Sequence, residues 1–316
     1  MYVDVLMDTG RAHDSVLVVG EALVDVVQRP GGRVDEHAGG SPANVAVALA
    51  RLGRPTTLAT QLGTDPRGVL VADHLRVSGV GLTAGSVREE VRTSTARAEL
   101  DAAGQATYAF DLSWDPDLDQ APESRLLHTG SVAATLEPGG SAVVRLLRER
   151  RELATVSYDI NARPPLMGSP EAVRDRVEEI VGLADVVKAS DEDLAWLYPY
   201  TRNEEAARAL LTRGPAAVVL TRGAAGALVV SRRGEADVDA IRVEVADTIG
   251  AGDTFAAGLI EALGRRGLYG DRDALHGLPL DEWRSVATFA SRLAAVTASR
   301  HGADPPYRED IRDWPV

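Results

Sequence analysis

The chain contains no cysteine, which excludes disulfides, a thiolate nucleophile and cysteine-ligated zinc together. Lysine is almost as scarce. Of the 34 lysine and arginine residues only Lys188 is lysine, and no basic tract is available to neutralise a nucleic-acid backbone. With 47 acidic residues the formal charge is −13. An anionic substrate would therefore have to be met locally, by placed arginines, helix N-termini or a bound cation. Neither nucleic acid nor a membrane is expected as a partner. Aromatic residues are only 4% of the chain, so the core has to be built from Ala, Val, Leu and Gly at close spacing, which suits helices lying on a sheet. No stretch approaches the ~18 uninterrupted apolar residues of a membrane-spanning helix. The first fourteen residues carry Asp4, Asp8, Arg11 and Asp14 in place of an apolar leader run. A cytoplasmic location is the expectation.

What is present is ordinary globular composition: 316 residues, 45% hydrophobic and 26% charged, enough for one large domain or a large one with a small one. From Ser15 onward, strand-like runs (SVLVVG, ATVSYDI, ADVVKAS, AAVVLT) alternate with helix-length apolar patterns. That rhythm predicts an α/β fold with a mostly parallel sheet and crossover helices, its Val-rich strands buried on both faces. Residues 26–40 and 91–112 break the rhythm. In the second, TSTARAEL and QATYAF alternate polar with apolar around Asp101 to Gly104, as a hairpin does. The expected organisation is a large α/β domain of residues 15–27, 41–90 and 116–316, a small β lid of residues 28–40 and 91–115, and an N-terminal extension of residues 1–14.

Two helix starts stand out. Gly39 and Gly40 precede Ser41, read as an N-cap, then Pro42, the run VAVALARL and the terminator Gly53, which puts Asn44 in the first turn. TIGAGD feeds TFAAGLIEAL. Small residues at Gly250, Ala251 and Gly252 let backbone amides converge at a helix start, which attracts anions. Asp253 beside them would repel a phosphate unless a hydroxyl lay between the two, and that is the arrangement phosphoryl transfer needs. The same residues also suit a plain glycine turn with a capping Asp. Gly39, Gly40 and Asn44 fit either close approach to a polar ligand or a turn into a surface helix. Asp25, in GEALVD, can accept from two neighbouring hydroxyls of a polyol, or is simply a strand-end acid. Competing motifs fail on spacing: there is no P-loop, no third glycine for a dinucleotide fingerprint, no HExxH and no Gly-x-Ser-x-Gly. The histidines His13, His37, His74, His128, His276 and His301 are scattered, as structural or surface residues are.

Taken in order, GEALVD, GGSPANVAVALARLG, GTDPRG, DINARPPL, VVKASDEDL, LTRGAAGAL and DTIGAGDTFAAGL resemble the ribokinase-type (PfkB) sugar kinases, bacterial fructokinases in particular, over about residues 15–305. The resemblance implies a ribokinase-like fold whose β lid closes over the sugar and pairs two subunits into a homodimer. It implies ATP-dependent phosphorylation of a sugar hydroxyl, with Mg²⁺ at the phosphates and, as in some relatives, K⁺. By position it implies that Asp25, Gly39, Gly40 and Asn44 bind the sugar, that Asp253 is the catalytic base, and that the amides of Gly250, Ala251 and Gly252 form the anion hole. It places Arg163 on phosphates, and Ser190, Thr221, Gly223 and Gly226 beside the nucleotide. Where the family has Asn-x-x-Glu near the metal, this chain has Ser190 and Asp193. Aspartate is one methylene short, so Asp193 would reach a Mg²⁺ hydration shell through an extra water. Asp247 matches a position near a monovalent-cation site. Fructose is the first expectation for the substrate, 2-keto-3-deoxygluconate the second, ribose or a nucleoside the third. The strand around Tyr108 and Phe110 lacks the lid arginine that would pair an acid sugar, although Arg97 on the neighbouring strand could supply one. A non-catalytic sugar sensor on the same fold is the alternative from another class.

Overall fold

The computed structural model describes residues 14–28, 33–100 and 106–314. The expected N-terminal extension, except its last residue, and the hairpin tip at 101–105 lie outside the described residues. The strands are β1 (Val16–Val19), β2 (Leu23–Gln28), β3 (Val34–Gly39), β4 (Thr56–Ala59), β5 (Leu62–Gly63), β6 (Gly81–Leu82), β7 (Val87–Arg88), β8 (Thr95–Leu100), β9 (Ala106–Asp111), β10 (Leu126–Gly130), β11 (Thr155–Asp159), β12 (Val186–Ser190), β13 (Ala217–Thr221), β14 (Ala227–Ser231) and β15 (Gly234–Val238).

Nine of these form the central sheet in the order β15-β14-β13-β12-β11-β10-β1-β4-β6. From β6 to β13 every pairing is parallel, and β14 and β15 add an antiparallel edge. Side chains on a strand point alternately to the two faces, and the core divides accordingly. Val16 and Val18 face one apolar layer and Leu17 and Val19 the other. The first layer is covered by helices Ser41–Arg51, Pro66–Val77, Ala251–Arg265 and Leu280–Ala298, the second by Gly139–Arg150, Pro170–Leu183, Asp191–Leu197 and Asn203–Leu211. Each face needs its own helical layer because strands such as β1 and β11 are buried at every position.

A second sheet, β3-β2-β8-β9, sits beside the first. β2 pairs antiparallel with β3 and parallel with β8, and β8 pairs antiparallel with β9. The sequence boundary at residue 27 assigns all of GEALVD to the large domain, whereas the chain leaves the central sheet after β1 and residues 23–28 belong to the small one. The cause is patterning. Along β2, Val24 and Val26 are buried while Asp25 and Val27 are only half-buried, the alternation of a sheet covered on one face rather than two. A two-stranded ladder of β5 and β7 was not anticipated.

The two helices that carry the glycine-rich starts, Ser41–Arg51 and Ala251–Arg265, pack against each other, and the second also packs along Leu280–Ala298. Gly258 permits that last contact: a Cβ there would lie 2.6 Å from Ala290 Cα. Since the neighbour is backbone and cannot swing away, Gly258→Val should destabilise the fold by about 1–3 kcal/mol or more, as overpacking does. Chemical denaturation of the variant checks this, and an unchanged midpoint would contradict it.

Candidate active site

The parallel strands end along one edge of the sheet, where the loops that follow them can carry polar groups out of the core. The two glycine-rich helix starts meet at that edge. Ser41 Oγ donates to Asp253 Oδ1 at 2.7 Å, and Asn44 Nδ2 donates to Oδ2 at 2.8 Å. Asp253 and Ser41 are both buried, each 8% exposed. Neither caps its own helix. The N-cap of Ser41–Arg51 is Gly40 and that of Ala251–Arg265 is Gly250, without side-chain capping bonds at either. The sequence expectation of Ser41 as N-cap, and the alternative of Asp253 as one, are therefore corrected. Both side chains are used across the junction between helices instead.

Gly250 holds the helix start in the left-handed region, with φ of 76°, where a side chain would be strained. The Ala251 amide donates to the Thr248 carbonyl at 3.3 Å. Among the described residues, the amides of Gly250 and Gly252 have no protein acceptor, so they are the ones available to an anion. Across the gap, Gly39 lets the acid of β2 come close: a Cβ there would fall 2.1 Å from Asp25 Oδ2, and one on Gly40, at φ 103°, would fall 2.5 Å from the Glu21 carbonyl oxygen. Burial raises the Asp25 carboxyl above its ordinary range, His37 and Arg163 oppose that, and the charge of Asp253 adds to it. Asp25, Arg163 and Asp253 thus lie near enough to feel one another's charge, with Gly39 against Asp25 and Asn44 on Asp253.

The segment after β11 completes the pocket. Asn161 Nδ2 donates to Ser41 Oγ at 2.5 Å, and Arg163 donates to Asn161 Oδ1 at 2.6 Å. Beneath them the only lysine forms a buried ion pair, Lys188 Nζ to Asp159 Oδ2 at 2.7 Å. Burial alone would lower the Lys188 ammonium, but Asp159, Asp193 and Asp253 outweigh it and hold it raised. A Cβ on Gly252 would lie 3.6 Å from Nζ, so this charge sits directly under the helix start. Asp159 Oδ1 is buried with no donor. A pair this deep is not a stability device, because desolvation offsets most of the attraction. Its position under an anion-binding turn is a better account of it.

Ser190, Thr221, Gly223 and Gly226 lie further along the edge. Ser190 and Thr221 are register partners on β12 and β13, and the two glycines turn the chain from β13 into β14. The Ser190 hydroxyl accepts the Asp193 amide in a capping box, which leaves its proton to donate. Asp193, in turn, accepts the Ser190 amide on one oxygen and the Ala162 amide on the other, both at 2.7 Å. Asp247 accepts the amides of Ile249 and Gly302, each at 3.0 Å, which hold its carboxyl below the usual range and tie the two loops together. Among the described residues no group of three or more His, Asp or Glu gathers as metal ligands. Asp193 and Asp247 are thus each held by two backbone amides. Sequence reasoning missed Ser41, Asp159, Asn161 and Lys188 as parts of the site. The signals were a DINAR segment leaving a buried strand and a lysine used once in the chain.

A parallel α/β sheet with a buried acid beside free amides at its carboxyl edge is an arrangement that phosphoryl transfer can use. The chain belongs to the pfkB family of carbohydrate kinases, whose model matches residues 13–310, and it is a sugar phosphotransferase. It is 32% identical to a fructokinase of Klebsiella pneumoniae over 95% of this chain and 99% of that one. It is 33% identical to a fructokinase of Escherichia coli over 91% and 94%. Among solved structures, a fructokinase from Xylella fastidiosa superposes with a TM-score of 0.82 at 26% identity, covering 95% of this chain and 98% of that one. A double mutant of the Vibrio cholerae fructokinase, bound to fructose, ADP and potassium ion, gives 0.78 at 30% identity over 92% and 94%. The fold is accordingly ribokinase-like. No helix among the described residues is long and apolar enough to cross a membrane.

Glu21, at the crossing from the central sheet into β2, generates a pH prediction. Its buried carboxyl accepts the Ala133 amide at 3.2 Å. Burial pushes it up to about 7 from an ordinary 4.5, against hydrogen bonds from its own backbone, Ser131 and Ala133 and the charge of Arg163. Between those values the folded state holds the proton more firmly than the unfolded chain, so stability falls as pH rises through the window, by roughly 3 kcal/mol in all. Glu21→Gln cannot ionise. Its stability relative to wild type should therefore climb between pH 5 and pH 8, as read by urea denaturation at both; an equal difference at the two pH values would contradict the assignment.

Proposed function

We propose that the protein is a fructokinase, transferring the γ-phosphoryl group of ATP to a primary hydroxyl of fructose. The observation that carries this reading is the Asp253 carboxylate, held by Ser41 and Asn44 beside the amides of Gly250 and Gly252, which have no protein acceptor among the described residues. The acid and the anion site would repel unless an alcohol lay between them. In the proposed step the sugar oxygen bonds to the γ-phosphorus, the bond from that phosphorus to the bridging oxygen breaks, ADP leaves, and the hydroxyl proton passes to Asp253. Aligning the reactants supplies most of the acceleration, because the transition state is loose and proton removal late. The amides and the Lys188 charge beneath them stabilise negative charge on the transferred group. Mg²⁺ would arrive with ATP, keeping phosphate and water ligands. Asp25, Asn44 and the backbone at Gly39 and Gly40 would hold the sugar, Thr221, Gly223 and Gly226 would border the nucleotide, and the small sheet would close over the pocket and pair two copies of the chain.

A neutral sugar is favoured by the register of the small sheet. Asp25 lies opposite His37 and Ala96, and Ala96 lies opposite Phe110, so these share a face, since laterally paired residues project together. Arg97 pairs with Val26 and Ala109, which puts it on the other face, with Glu36 and the Arg67 that bonds it. Arg97, the small-sheet cation that could pair an acid sugar, is thus on the other side of the sheet from Asp25. In a coupled assay of ADP release over fructose, 2-keto-3-deoxygluconate, ribose, tagatose and nucleosides, fructose should give the highest kcat/KM, and Asp253→Asn should lower kcat by roughly 10²–10⁴-fold with little change in KM. Preference for the acid sugar would overturn the substrate; a wild-type rate in Asp253→Asn would overturn the mechanism.

A further inference from the structure

We infer that Ser41, oriented by Asn161, is a positioning residue that holds the Asp253 carboxylate aimed at the reacting hydroxyl. The inference rests on the reading of Asp253 as the base. It starts from donor arithmetic. An arginine can only donate, so the contact of Arg163 with Asn161 Oδ1 at 2.6 Å fixes which end of that amide is which. The Asn161 NH₂ group therefore faces Ser41 and donates to its oxygen at 2.5 Å. A hydroxyl has one proton, and with its oxygen already accepting from Asn161, Ser41 directs that proton to Asp253 Oδ1 at 2.7 Å. The chain of bonds runs one way, Arg163 to Asn161 to Ser41 to Asp253, and ends on an atom that accepts best when it carries charge. Asn44 holds the other oxygen.

Two independent observations show that this chain is not incidental. Ser41 begins a helix, where its hydroxyl could cap the first turn, yet the N-cap is Gly40 and no side-chain cap bond forms. Its hydroxyl instead reaches a residue 212 positions away. Asn161 holds φ of 38°, in the left-handed region, one of two non-glycine residues among those described to do so. That conformation is unfavourable, and it is the one from which the Asn161 side chain reaches Ser41. Ser41 thereby fixes the orientation of the Asp253 carboxylate, while a free lone pair on each oxygen remains for the sugar hydroxyl.

The test is a kinetic comparison of Ser41→Ala, Ser41→Thr, Asn161→Gly and Asp253→Asn with wild type. Ser41→Ala should lower kcat by roughly 10–10²-fold with KM for the sugar within about threefold. Ser41→Thr, which keeps the hydroxyl, should restore most of the rate. Asn161→Gly relieves the left-handed backbone, so it should fold with an unreduced melting temperature and still show the lower kcat at an unchanged KM. A wild-type rate in Ser41→Ala would overturn the inference, as would equal impairment of the Ala and Thr variants, which would mark a packing role. If Asp253→Asn retains activity, the base assignment fails first and this inference with it; if Asp253→Asn is inactive while Ser41→Ala behaves as wild type, only the role of Ser41 falls.

Discussion

Two helix N-termini, 210 residues apart in sequence, are packed so that the Asp253 carboxylate of one is held by Ser41 and Asn44 of the other. Everything else in the pocket is arranged around that junction. A buried carboxylate without donors would cost several kcal/mol or shift its pKa to become neutral. The two donors make an ionised acid tolerable next to backbone amides that would otherwise be free to take any anion. The loop that carries Asn161 leaves β11, a strand paired on both sides, whereas the two helix starts follow the edge strands β3 and β15 and are fixed by their packing on each other.

Charge is layered below this junction. Lys188 and Asp159, adjacent in the register of β11 and β12, bring a cation and an anion under Gly252. Asp159, Asp193 and Asp253 all act on that one cation, so the donors left to meet an anion at the helix start are chiefly the backbone amides. The small sheet adds polar groups from above. Two of its connections to the large domain, at 20–22 and 39–40, approach closely where Gly40 lies against the Glu21 carbonyl.

The fold class was legible in the chain because alternating Val-rich runs and helix-length patterns survive as local signals. So were the two glycine-rich helix starts, whose residues announce a turn and an approach that larger side chains would block. The parts that were not legible are those set by contacts across the chain. Ser41 reads as a cap by every local rule, and only the packing of Ala251–Arg265 against its helix gives the hydroxyl a better acceptor. Asp193 reads as a metal-facing acid by position, yet the amides of Ser190 and Ala162 converge on it only once β11 and β12 lie side by side. Asp25 was legible as a residue but not as part of the small sheet, because the change from a doubly to a singly covered strand occurs within three residues.

The central claim is that a sugar alcohol occupies the space between Asp253 and the helix-start amides while the phosphoryl group rests on those amides. A crystal structure of the protein with fructose and a non-hydrolysable ATP analogue measures this directly. The account predicts the reactive sugar oxygen within hydrogen-bonding distance of an Asp253 carboxylate oxygen, about 2.6–3.2 Å, and in line with a γ-phosphate seated on the amides of Gly250 and Gly252. A complete complex in which that oxygen points away from Asp253, or in which the γ-phosphate lies elsewhere along the edge, would contradict it.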